Sequence, residues 1–161
     1  MIMRIMFSKP KKAKIGSQAI MWKLGTEYSH VAVEFHLKAM DRFLIFESSY
    51  GDVHAVEAKS WAKDNIIVDE VCLDITKEKR VLVMRFLLDN LQKKYGYMSI
   101  LGIAFPKLKL GVDGNKTFIC SELVAKVLDI AYNYKVDKSI DYMTPKDIKQ
   151  VVEQLEKTEK E

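Results

Sequence analysis

The apolar residues of this chain change their spacing at Thr76, and that change limits the folds open to it. Before Thr76 they alternate. In residues 28–37, Val31, Val33, Phe35 and Leu37 point one way and His30, Ala32, Glu34 and His36 the other, the two-residue period of a strand. Residues 43–49, after a turn around Asp41, and 53–58, after Gly51-Asp52, read as two more strands, spaced closely enough for an antiparallel meander. Residues 2–7 suggest a short strand ahead of them and 65–75 a further one behind. From Thr76 the spacing is helical. Met84, Leu87, Leu88 and Leu91 share a face, with Gly96 ending that helix. Residues 97–105 suggest a short helix stopped by Pro106. Val124, Val127, Leu128 and Ala131 mark the next, with Thr117 as its N-cap. Thr144-Pro145-Lys146-Asp147 opens the last, which carries Ile148, Val151, Val152 and Leu155 on one face. An early helix over 17–24, with Ser17 as N-cap and Gly25 just past its end, has apolar residues wrapping broadly enough to pack on a sheet. Strands first and helices after is the α+β pattern.

The 161 residues suit one domain over 1–161 with a real core, residues 152–161 forming a fraying helical tail. Hydrophobic and charged fractions of 48% and 30% argue against disorder. A net charge of +4 does not call for nucleic acid, and no such partner is expected. Lys11, Lys12 and Lys14 read as a solvated basic turn. Cys72 and Cys120 are too few for a disulfide framework. Neither a signal peptide nor a stretch long enough to span a bilayer stands out, so the expected location is cytoplasmic. His30, His36, His54 and the cysteines do not make a metal site by spacing: His30 and His36 share a strand face but sit roughly 20 Å apart. Residues 111–116 read as a turn rather than a phosphate loop. No metal or cofactor is implied.

The chemistry gathers around Cys120. It falls in the first turn of its helix, where free backbone N–H groups and the positive end of the dipole favour a thiolate. A small buried core cysteine fits the same position. A thiolate nucleophile needs an imidazole as base, and the imidazole needs a group to hold its tautomer. His30, at the start of its strand, is the candidate base. Glu47 sits in the apolar run Phe43-Leu44-Ile45-Phe46, where an unpaired carboxylate would be unfavourable. It would lie beside His30 if the two strands pair through a turn longer than two residues.

Four blocks occur in order: Tyr28-Ser29-His30-Val31-Ala32-Val33; Phe46-Glu47 followed by Gly51-Asp52-Val53; Phe118-Ile119-Cys120-Ser121-Glu122-Leu123-Val124; and Thr144-Pro145-Lys146-Asp147-Ile148. Together they resemble the circularly permuted NlpC/P60 cysteine hydrolases of the YiiX/YebB-like, permuted papain-like group, over roughly residues 2 to 150. The resemblance implies a small antiparallel sheet packed on a central helix carrying the cysteine at its N-terminus. It implies Cys120 as nucleophile, His30 as base and Glu47 as the residue orienting His30. Tyr95 or Tyr97, with Ser29, would touch the substrate. The expected activity is thiol-dependent cleavage of an amide bond through an acyl-enzyme, on a peptide-, amide- or acyl-containing partner. An acyltransferase or thioesterase acting on lipid-like substrates, in contact with a membrane surface, is the alternative. A non-catalytic binding module on the same fold is a third reading.

Overall fold

The computed structural model describes residues 1–49, 51–96, 117–134 and 143–160. Its centre is a seven-stranded sheet in the order β5-β1-β2-β3-β4-β6-β7. These strands are β1 (Ile2–Pro10), β2 (His30–Leu37), β3 (Arg42–Ser49), β4 (Asp52–Glu57), β5 (Asn65–Asp74), β6 (Lys94–Tyr95) and β7 (Thr117–Phe118). Strands β2, β3 and β4 form the expected antiparallel meander. The sheet is larger than the sequence suggested and is mixed, because β6 and β7 pair in parallel. β1 runs three residues beyond the expected end and lies between β2 and β5, pairing antiparallel with both.

Five helices accompany the sheet among the described residues: α1 (Ile15–Leu24), α2 (Ala58–Trp61), α3 (Lys77–Asp89), α4 (Cys120–Tyr132) and α5 (Pro145–Lys160). One face of the sheet presents Met3, Ile5, Phe7, Val31, Val33, Phe35, Phe46, Val71 and Leu73 to buried residues of α3, α4 and α5. This is the main core, and α4 is its most buried helix. Nine of its thirteen residues are buried, among them Leu123, Val124, Val127, Leu128 and Ala131. The opposite face carries a smaller cluster, in which Met6, Ala32 and Ile45 meet Trp61 of α2. On α5, Thr144 caps as the sequence suggested: its Oγ1 accepts from the Asp147 N–H at 3.2 Å, while the Asp147 carboxylate accepts from the Thr144 N–H at 2.7 Å. Ile148, Val151 and Val152 are buried.

Several helix boundaries differ from the sequence reading. Thr117 does not cap α4, because its backbone pairs with Lys94 in the β6–β7 ladder. Ile119 takes the cap position, and its N–H is bonded to the Glu122 carboxylate at 2.8 Å. Ser17 is not the cap of α1, which starts two residues earlier with Lys14 in that place. Gly25 does end α1 in the left-handed region, at φ 62°, where glycine has no Cβ penalty. α3 stops at Asp89 rather than near Gly96, since the chain must turn there to enter β6. The buried residues of α3 are Val83 and Leu87, and Leu88 faces solvent. α1 lies against the rest of the protein on one side only, and none of its residues is buried. The helix expected over 97–105, the turn at 111–116 and Tyr97 lie outside the described residues.

Candidate active site

The β2–β3 hairpin turns through a short 3-10 segment at Lys38–Met40 and an Asp41 in the left-handed region, closing on the pair Leu37–Arg42. This is the longer turn that the placement of Glu47 requires. The Val33–Phe46 pair fixes the register, and one further step along the ladder sets Glu47 beside Ala32. His30 shares a side with Ala32 by alternation, so Glu47 and His30 are diagonal neighbours, within reach of long side chains.

Glu47 is 3% exposed. Its carboxylate is surrounded by donors. One oxygen meets Nε2 of His30 at 2.6 Å and accepts from the Trp61 indole N–H at 2.8 Å. The other accepts from the Ser49 hydroxyl at 2.9 Å and meets Nε2 of His54 at 3.1 Å. Burial on its own would raise the pKa of this acid, but the charge and hydrogen bond of His30, with hydrogen bonds from His54 and Trp61, outweigh burial and hold it well below the ordinary value.

His30, bonded to Glu47 through Nε2, also shares a side-chain hydrogen bond with Cys120. Burial would lower the pKa of this imidazole. Attraction to Glu47 and to Cys120, together with hydrogen bonds to both, outweighs burial and raises it to about 10. Held between a carboxylate and a sulfur, the ring is favoured in its protonated form. His54 contacts two carboxylates, Glu47 through Nε2 and Asp52 through Nδ1 at 3.1 Å. Only the doubly protonated ring can donate to both, and its pKa is likewise raised, chiefly by the bond to Glu47.

Linkage fixes the sign of the pH dependence. His30 titrates above its ordinary 6.5, so its contribution to stability is complete below about pH 6.5 and is lost as pH rises toward about 10. Glu47 titrates below its ordinary 4.5, so its contribution is present above about pH 4.5 and is lost as pH falls through its lowered value. The urea midpoint is expected to peak between about pH 4.5 and 6.5 and to fall on both sides. A midpoint that climbs steadily from pH 6.5 to 10 would contradict this pairing.

Cys120 is the first residue of α4 and is buried. Phe118, two residues before it, offers its carbonyl to the buried Ser48 hydroxyl at 2.6 Å, which ties β3 to the entry of α4. Ser121 faces away from the chemistry and donates to the Met143 carbonyl at 2.5 Å. Ser48→Ala leaves the Phe118 carbonyl without its donor and is expected to lower stability by about 1–3 kcal/mol. Urea unfolding checks this, with the slope unchanged from wild type.

The remaining candidates fall elsewhere. The Ser29 hydroxyl is buried against that of Ser17 on α1. Tyr95 lies half-buried in β6, with its N–H bonded to the Gly51 carbonyl at 2.7 Å. His36 pairs with Asp41 and stacks on Phe43, away from the cluster. Cys72 is exposed on β5. Among the described residues no three His, Cys, Asp or Glu side chains are grouped to hold a metal ion.

No protein-family model matches the chain, and no curated protein matches it. Among solved structures it is similar to the crystal structure of the metalloprotein yiiX from Escherichia coli O157:H7. The identity is 19% and the TM-score 0.60, with 84% of this chain and 68% of that one covered. The two share a fold. The likeness to yiiX extends to the mixed α and β architecture built on the seven-stranded sheet. Sequence reasoning singled out Cys120, His30 and Glu47 but passed over Trp61, Ser49 and the bond from His54 to Glu47. The one legible trace of that bond was the alternation placing His54 and Glu47 on facing strands.

Proposed function

We propose that this protein is a thiol-dependent hydrolase acting on an amide bond, with Cys120 as nucleophile, His30 as proton carrier and Glu47 as the residue that holds His30. The observation that supports it most is the imidazole of His30 shared between Cys120 and a buried, four-fold hydrogen-bonded carboxylate. Strongly perturbed groups gathered in one cluster at a helix start favour a reactive site.

In the first step Sγ of Cys120 attacks the carbonyl carbon. The dipole of α4 and the His30 imidazolium both favour negative charge on that sulfur. The carbonyl oxygen becomes an oxyanion, for which the N–H groups of the first turn of α4, with no intrahelical acceptor, are the candidate donors. His30 gives its proton to the departing amine, leaving an acyl group on Cys120. The neutral imidazole then takes a proton from water as the water oxygen bonds to the acyl carbon; the C–S bond breaks, the acid leaves, and the Cys120 thiolate and His30 imidazolium are restored. Glu47 keeps its charge throughout and fixes the His30 ring by its Nε2.

The yiiX structure is described as that of a metalloprotein; the steps above are written with this chain's own side chains alone. Nε2 of His30 and Nε2 of His54 are both directed at Glu47, at 2.6 and 3.1 Å.

Incubation with a library of peptide amides and acyl thioesters, followed by acid quench and intact-mass measurement, is the direct test. The reading expects a mass increment on Cys120 that matches the acyl half of an amide. An increment only from fatty acyl thioesters would move the assignment to acyl transfer on lipid-like substrates. Absence of any adduct under single-turnover conditions, with Cys120 no more reactive than a free thiol, would leave the binding-module reading.

A further inference from the structure

Helix α1 is apolar on two sides. Its inner side, Ser17, Ile20, Met21 and Leu24, is half-buried. Its outer side holds Ile15, Ala19 and Trp22 at i, i+4 and i+7, one stripe along the helix. Ile15 is 88% exposed and Trp22 86%. They stand about 10 Å apart along the axis. A helix with apolar side chains on two sides is ordinarily covered on both; this one has no buried residue.

Lysines border the stripe at both ends of the helix. Lys11, Lys12 and Lys14 lead into α1 and Lys23 lies in its last turn, all four exposed. The helix itself contains no acid; the nearest in sequence is Glu27. Two prominent apolar side chains within a lysine border match the interfacial layer of a bilayer. There an indole sits at headgroup level, lysine ammonium groups meet anionic phosphates, and a helix lies flat with its apolar side inward. A protein partner would call for a broader apolar patch, with roughly 800 Å² buried per side.

α1 is also fixed next to the candidate site. The Ser17 hydroxyl bonds that of Ser29, the residue before His30, and the Lys146 ammonium donates to the Leu24 carbonyl at 3.1 Å, linking α1 to the start of α5.

We infer that the outer face of α1, with Ile15, Trp22 and the flanking lysines, docks this protein on anionic phospholipid surfaces. Docking there brings the His30 end of β2 close to the bilayer. The inference does not depend on hydrolase activity.

The experiment is sedimentation of the full chain with vesicles of phosphatidylcholine alone or mixed with phosphatidylglycerol, with tryptophan emission recorded in parallel. The expected result is binding to the mixed vesicles with a blue shift from Trp22, since Trp61 is already buried. Ile15→Ser with Trp22→Ser should weaken binding by about tenfold or more. Lys12→Glu with Lys14→Glu should weaken it on anionic vesicles, as should high salt. These exposed positions leave the fold intact, which circular dichroism verifies. Cys120→Ala should bind as wild type, so failure of the hydrolase reading and failure of this one are separable. Absence of binding to anionic vesicles would overturn the inference. So would binding indifferent to the Ile15 and Trp22 changes, or an Ile15- and Trp22-dependent dimer in the ultracentrifuge without vesicle binding.

Discussion

Replacing Cys120 with alanine is expected to lower turnover of the amide substrate by about 10,000-fold or more. Removal of a nucleophile ends the covalent route and leaves only what binding and oxyanion stabilisation provide. The same change should alter stability by only about 1 kcal/mol, because alanine fills most of the thiol's place in a helix already rich in small residues. Rate and unfolding midpoint together are the measurement. Cys120→Ala turning over substrate at the wild-type rate would end the assignment, while a large loss of stability would make Cys120 a core residue first. Alkylation gives an independent readout: iodoacetamide at neutral pH should modify Cys120 faster than a free cysteine peptide once burial is allowed for.

The second large effect belongs to Glu47. Glu47→Ala removes the carboxylate from beside His30, which is 14% exposed, and strips the Trp61 indole of its acceptor. An ion left buried without its partner typically destabilises by about 3–5 kcal/mol. The His30 proton would then leave near or below its ordinary 6.5 instead of about 10. Glu47→Gln should be gentler on folding. Its amide keeps one oxygen for the His30 and Trp61 donors and can turn its NH2 toward the Ser49 hydroxyl, with His54 giving up a proton. The fold should survive with a loss of about 1–2 kcal/mol, while activity falls and the His30 titration moves down. Chemical-shift titration of the His30 ring protons follows this directly. An unmoved His30 pKa in Glu47→Gln would remove Glu47 from the positioning role.

The parts of this arrangement that sequence made legible are those set by local period. Alternation in β2 and β3, with an odd carboxylate among apolar residues, put Glu47 beside His30 on the condition that the strands pair through a long turn, which they do. The i, i+3, i+4 pattern after Cys120 put the thiol at a helix start. What escaped depends on contacts between distant segments. Thr117 has good capping chemistry, yet its backbone is taken by a ladder with Lys94. Trp61 supplies a hydrogen bond to Glu47 from a helix of only four residues, too short to leave a periodic signal. α1 was expected to pack on the sheet because its apolar residues are abundant; abundance alone does not say which side of a helix finds a partner.

The pairing of β1 with β5 joins Ile2 to Asp74, and the meander lies between them in the chain. During synthesis, then, the strands that align His30 with Glu47 are complete before Cys120 leaves the ribosome. At roughly 5–20 residues per second, the proton-handling half of the site waits seconds for its sulfur. β6, β7 and α4 follow the meander in the chain, so the thiol meets His30 only as the far edge of the sheet is completed.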